Sequence, residues 1–186
     1  MSMDAPLCSP KEILTFWFEE LRPEHWFKPP PGLDQQCQRR FLATHLALAR
    51  GIPPLWRETP DNRLAAIIVL DQLPRNIYRA SPLAFATDNL ALREAKLAIA
   101  AGADLAIPAE RRCFFYMPFE HAENLSEQVL SVKLFTELAD PNYLDFAIRH
   151  HEVIRLFGRF PHRNEIIGRT STAAEEAYLS QPGAGF

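Results

Sequence analysis

Residues 157–164 read Phe-Gly-Arg-Phe-Pro-His-Arg-Asn. From Phe157 to Arg169 the chain carries Arg159, His162, Arg163 and Arg169 against a single acid, Glu165. Basic groups this close repel one another unless carboxylates or an anion sit among them, and the planar fork of arginine suits both carboxylate and phosphate. Phe157 and Phe160 should anchor the stretch in a core, while Gly158 and Pro161 fix its path. Asn164 is placed to orient the arginines. A solvated loop needs no such construction. The competing account is a closed ion-pair network, for which Asp71, Glu120 and Glu123 are candidate partners.

A second stretch, Met-Pro-Phe-Glu-His-Ala-Glu-Asn at 117–124, puts Glu120, His121 and Glu123 together, and Glu127 continues the same helical face. A carboxylate beside a histidine suits general acid–base work, because burial and neighbours tune both toward neutral pH. The plainer account makes Glu120 and Glu123 first-turn carboxylates favoured by the helix dipole, with His121 packed. No HExxH or comparable close histidine pair points to a metal, and no metal or cofactor is expected. In His150-His151-Glu152, His150 shares a face with Ile154 and should point inward, as a core residue or as a proton carrier. His151 shares a face with Arg155 and should meet solvent.

The third stretch is Asp71-Gln72-Leu73-Pro74-Arg75-Asn76. Pro74 should push Leu73 out of helical geometry, leaving Asp71 in a last turn where the dipole disfavours it. A cation such as Arg75 or Arg79 should compensate. The stretch either ends a helix with one structural ion pair or turns Asp71 and Gln72 toward a ligand with Arg75 and Asn76. It also echoes Phe160-Pro161-His162-Arg163-Asn164.

The elements that must hold these groups are helices. Ser9-Pro10-Lys11-Glu12 is a capping box with proline in the first turn, opening a helix to about Leu21. Pro23 and Pro29-Pro30-Pro31-Gly32 read as a connector. Asp34 is a candidate cap for a helix closed by Gly51, and Asp61 for an apolar, central helix from Asn62 to Leu73. Further helices start at Ser81-Pro82 and Pro108 (ended or kinked by Pro118), span about Asn124 to Leu138, start at Asp140-Pro141, and open at the capping box Thr172–Glu175. Strand signals are nearly absent. The expectation is an all-α single domain over residues 1–186, with seven or eight helices in antiparallel pairs.

Across the 186 residues, net charge is −3 and charged residues are 23%. That balance offers no general pull toward nucleic acid or anionic membrane. Cys8, Cys37 and Cys113 form no CxxC pair, so neither a disulfide framework nor a cysteine zinc site is implied, and a reducing cytoplasm fits. The opening Met-Ser-Met-Asp-Ala-Pro lacks a basic region followed by an apolar stretch, so no secretory signal is expected. Apolar runs such as Leu64 to Leu70 are too short to span a bilayer. GxGxxG, GxxxxGK[ST] and GxSxG motifs are missing. Ser171 and Thr172 read as caps, and Trp17, Trp26 and Trp56 as packing.

Taken together, Phe16-Trp17-Phe18, Trp26-Phe27, Asp71 to Asn76, Phe85-Ala86-Thr87-Asp88, Met117 to Glu123, Phe157 to Asn164 and Gly168 to Thr172 resemble the bacterial family of unknown function numbered 924. The resemblance covers nearly the whole chain. It implies a helical, tetratricopeptide-like right-handed stack with a concave face, and it brings no settled activity. Ala122 stands where the family suggests a small hydroxyl residue. The leading expectation is one polar cleft. Arg75, Arg159, Arg163 and Arg169 would bind a small phosphate or carboxylate, with Asp71, Gln72, Asn76, Glu123 and Asn164 around them. Glu120, His121, His150 and His162 would move protons. An alternative is a tetratricopeptide-like peptide- or protein-interaction module that grips a peptide or its C-terminal carboxylate in a concave groove, without catalysis. Another is motifs that only hold the fold, with function in an oligomer interface of unspecified order.

Overall fold

A computed structural model describes residues 7–185. The opening Met-Ser-Met-Asp-Ala-Pro, on which the signal-peptide expectation rests, lies outside the described residues. Among the described residues the protein is all-helical, and no strand forms. It divides into two compact units. One runs through Arg79 and adds Leu83–Pro118, and the other comprises Ala80–Pro82 and the chain from Phe119 onward.

In the first unit, α1 (Pro10–Thr15) opens on the expected capping box, with both Ser9–Glu12 bonds made, and runs on as a wide π-helical turn, Phe16–Glu20. The proline-rich connector contains a short helix, α2 (Pro23–Phe27). There the Trp26 indole nitrogen donates to the Trp17 carbonyl at 2.8 Å, and the two rings stack. Helix α3 (Leu33–Arg50) is capped by Gly32 at φ +87° rather than by Asp34. Asp34 instead lies in the first turn and takes Asn76 and Arg79. Helix α4 (Pro60–Ile67) is capped by Thr59, whose hydroxyl accepts from the Asn62 N–H, and not by Asp61.

Pro74 does not end this helix. A π-helical turn, Ile68–Gln72, follows α4 and leads into α5 (Leu73–Ile77), with Leu73 in helical geometry at φ −59°, ψ −35°. The wide turn closes on a bond from the Leu73 N–H to the Ile68 carbonyl. Pro74 then has no N–H for the Leu70 carbonyl. The Thr87 hydroxyl donates to that oxygen instead, at 2.6 Å. Every residue from Leu64 to Leu73 is buried, as an apolar central helix requires. Helix α6 (Asp88–Ala100) follows a tight turn at Pro82–Phe85, and α7 (Ala109–Glu120) carries Pro118 inside it.

In the second unit, α8 (Leu125–Leu138) and α9 (Pro141–Phe157) pack together, capped by Asn124 and Asp140. A 3₁₀ turn at Pro161–Arg163 and α10 (Ala173–Leu179), opened by the Thr172–Glu175 capping box, complete it. Val153, Ile154 and Phe160 form a small core, with Phe157 and Tyr178 against it. The echo between the two Pro–Asn stretches is not structural, since one lies in a helix and the other opens from extended Phe160 into a 3₁₀ turn.

Gly158 closes α9 at φ +68°, its N–H bonded to the Ile154 carbonyl at 2.8 Å. Nothing lies within 4 Å of an added Cβ, so Gly158→Ala meets backbone strain alone. The expected loss is about 1 kcal/mol. Urea unfolding should show a lower midpoint at unchanged slope.

Candidate functional site

The first unit holds Asp71, Gln72, Arg75 and Asn76. Asp71 is fully buried on the wide turn. The Gln72 amide nitrogen donates to its Oδ2 at 2.5 Å and to the Met117 sulfur at 3.4 Å. The expected compensating cation is Arg75. It donates to the Asp71 carbonyl, lies 3.6 Å from Asp71 Oδ1, and forks onto Asp88 at 3.1 and 3.2 Å. Asn76 and Arg79 both bind Asp34, and the Arg79 guanidinium holds that carboxyl below its usual range.

Beside this cluster is a relay that sequence reasoning missed. His45 Nε2 is 3.2 Å from the Thr87 hydroxyl, and Nδ1 is 3.0 Å from the Tyr78 hydroxyl. Thr87 spends its one proton on the Leu70 carbonyl, so it accepts from His45 Nε2–H. A neutral imidazole then accepts at Nδ1 from Tyr78. Burial pushes the His45 pKa down to about 4 and that of the Tyr78 phenol up. In the sequence His45 is one more member of the apolar stripe of α3, with nothing to mark it.

The second unit holds the remaining candidates. Its loop path follows from Gly158 in the left-handed region, extended Phe160 and the turn set by Pro161. Two arginines are locked fork to fork on carboxylates. Arg159 binds Glu175 at 2.6 and 2.8 Å and the Thr170 carbonyl at 3.0 Å. That pairing, with the Thr172 N–H behind it, takes the Glu175 carboxyl down to about 2. Arg169 binds Glu123 at 2.6 and 2.8 Å, Asn164 at 2.8 Å and the Phe160 carbonyl at 3.0 Å. Glu123 also accepts from the Phe160 N–H at 2.7 Å. Burial opposes ionisation of Glu123, yet Arg169 and that N–H keep its carboxyl below the usual range. Asn164 completes the net by donating to Ser171 at 3.0 Å.

Arg163 is placed differently. It is buried, donates to the His121 carbonyl at 3.1 Å, and lies 4.6 Å from the centre of the Phe160 ring. His150 and His162 contact the same ring, each at 5.5 Å between centres, and His121 lies 6.4 Å from His150. His150 Nδ1 is 2.8 Å from the Phe146 carbonyl and 2.9 Å from Glu120 Oε1. A carbonyl can only accept, so Nδ1 carries a proton. Both Glu120 and His150 are buried. Burial, then the charge of Arg163, push the His162 pKa down to about 4. His151 lies outside this group, against Glu152 at 3.2 Å. Among the described residues no three His, Cys, Asp or Glu side chains gather at a metal-ion site, and no helix is long and apolar enough to cross a membrane.

The profile of a family described as bacterial protein of unknown function (DUF924) matches residues 13–183. The solved structure of a protein of unknown function, ATU0120 from Agrobacterium tumefaciens, is similar at a TM-score of 0.87 and 38% identity, over 92% of this chain and 96% of that one. No curated protein matches the chain.

Proposed function

The chain belongs to the bacterial DUF924 family, and we propose that its second unit binds a small phosphate or carboxylate at Arg163 and His162, with the Glu120–His150 pair exchanging a proton with the bound molecule. The observation that carries this reading is the convergence of Arg163, His150 and His162 on the Phe160 ring, with Glu120 behind His150. A carboxylate-backed imidazole is the arrangement of a general base. His121, through its carbonyl, positions Arg163. Arg159, held by Glu175 and the Thr170 carbonyl, and Arg169, held by Glu123 and Asn164, build the walls in this reading. Asp71, Gln72, Arg75 and Asn76 belong to the first unit, and the reading does not use them.

Burial, then the charge of Arg163, keep His162 neutral. An anion there draws the His162 pKa back up. Binding therefore takes up a proton, and affinity rises as pH falls from 7 toward 5.

The test is thermal unfolding of wild type and Arg163→Ala against phosphates, carboxylates, divalent metals and short peptides with free or amidated C-termini. A ligand at 100 times its dissociation constant adds about 2.7 kcal/mol, which raises the midpoint by roughly 5–10 °C at this size. The expected result is a shift in wild type that is larger at pH 6 than at pH 7.5 and absent from a still-folded Arg163→Ala. Shifts confined to peptides with free C-termini would transfer the site to peptide recognition. No shift with any compound, together with a variant that barely folds, would make the cluster scaffold.

A further inference from the structure

The inward side of α8 is built in two halves. Leu134 and Phe135 are buried toward its C-terminus, but Gln128 and Ser131, one turn apart, are buried toward its start. The Gln128 carboxamide nitrogen points at the end of α7. It meets the carbonyls of Phe119, Glu120 and Ala122 at 3.3, 2.6 and 2.8 Å. Carbonyls only accept, so the amide orientation is fixed, with nitrogen toward α7 and Oε1 on the other side. That Oε1 has no hydrogen-bond partner, and neither does Ser131 Oγ, although both side chains are wholly buried. Buried oxygens without partners are rare, and each costs the protein stability that leucine or alanine would return. Two of them on one helix face, one of them on a side chain bonded to the backbone of Glu120, call for an account beyond packing.

We propose that Gln128 Oε1 and Ser131 Oγ are contacts for a hydrogen-bond donor on the molecule bound at the Glu120–His150 pair. Its ligand is then a small anion that also carries a hydroxyl or amine, such as a hydroxy acid, an amino acid or a phosphorylated alcohol. The inference rests on the anion-site reading above. Oε1 accepts and cannot donate, so it selects for an O–H or N–H on the ligand. Ser131 Oγ both accepts and donates. A ligand lacking the donor leaves both oxygens buried and unsatisfied, which is how polar sites discriminate strongly. Gln128 is in addition a positioning residue, since its nitrogen ties down the turn that carries Glu120.

The experiment uses matched probes that differ by one donor: lactate and propionate, malate and succinate, glycerol 3-phosphate and propyl phosphate. Dissociation constants come from calorimetry on the full chain, wild type and Ser131→Ala. Ser131→Ala removes one oxygen and keeps the helix. The expected result is a wild-type preference of about tenfold for the donor-bearing member of at least one pair, the size of one well-made hydrogen bond. In Ser131→Ala that preference falls to about threefold or less. The affinity for the plain member is unchanged, and the free variant unfolds at a higher temperature than wild type. Should Ser131→Ala fail to fold, Ser131→Cys carries the same comparison with a weak donor. Equal binding of both members in wild type overturns this inference and leaves the anion site standing. A preference that survives undiminished in Ser131→Ala removes Ser131 from the contact and overturns the paired-oxygen inference. Binding of neither member of any pair overturns the anion site itself.

Discussion

Acidification from pH 7 to pH 4 will destabilise this protein steeply, well before its paired carboxylates titrate. His45 and His162 are each held at a pKa of about 4, against an ordinary value of 6.5. The cause is mainly burial, with the charge of Arg163 added at His162. In the folded state both rings are neutral until about pH 4, while in the unfolded chain both protonate near 6.5. Between those values the unfolded state binds more protons, so stability rises with pH across that window and falls as the solution is acidified. Above pH 6.5 the two rings contribute no slope. Each shift corresponds to about 3 kcal/mol, and the full amount is lost only as pH reaches about 4. The Glu175 carboxyl, taken down to about 2, adds its own loss at lower pH still. Urea unfolding at half-unit steps from pH 7.5 to 4.5 measures the slope. In His45→Gln and in His162→Gln the slope near pH 5.5 should drop by about one proton each. Slopes equal to wild type in both variants would mean that the rings titrate normally in the folded state.

The helices were readable because their ends are written in local chemistry. Ser9 with Glu12, Asp140 before Pro141, and Thr172 with Glu175 each open a helix where their types and spacing predict. Two cap positions differ from expectation: Gly32 in left-handed geometry replaces Asp34, which turns to Asn76 and Arg79, and Thr59 caps locally through the Asn62 N–H in place of Asp61. Reading failed at Pro74 because a wide turn upstream is an i-to-i−5 event without a residue signature. Within the site, Arg159 and Arg169 reach their carboxylates over 16 and 46 residues. Spacing announces that such charges need partners, and only the fold says which partner each one takes. The Tyr78–His45–Thr87 relay was illegible for the same reason, since its members lie 33 and 42 residues apart and two of them look like ordinary apolar-face residues. The position of Phe160 as the shared platform for Arg163, His150 and His162 follows from packing, although its burial was foreseeable from the aromatic and proline spacing.

Thr87→Val should cost about 3 kcal/mol although it changes shape very little. The hydroxyl it removes serves two buried groups at once, the Leu70 carbonyl at 2.6 Å and His45 Nε2 at 3.2 Å. Valine takes the acceptor from His45 Nε2–H and this donor from the Leu70 carbonyl, and an unsatisfied buried donor or acceptor costs roughly 1–3 kcal/mol. Thr87→Ser keeps the hydroxyl and should lose less than about 1 kcal/mol. The deeper test is Pro74. The Leu70 carbonyl depends on Thr87 because the residue four positions on is a proline with no N–H to give. Pro74→Ala restores a backbone donor at that place. Thr87→Val should therefore hurt less in a Pro74→Ala background, with a favourable coupling of about 1 kcal/mol in a double-mutant cycle followed by urea unfolding. Strict additivity would mean that the restored N–H stays with another carbonyl of the wide turn. A Thr87→Val loss below about 1 kcal/mol would mean that water replaces the hydroxyl, which the burial of Leu70, His45 and Thr87 opposes.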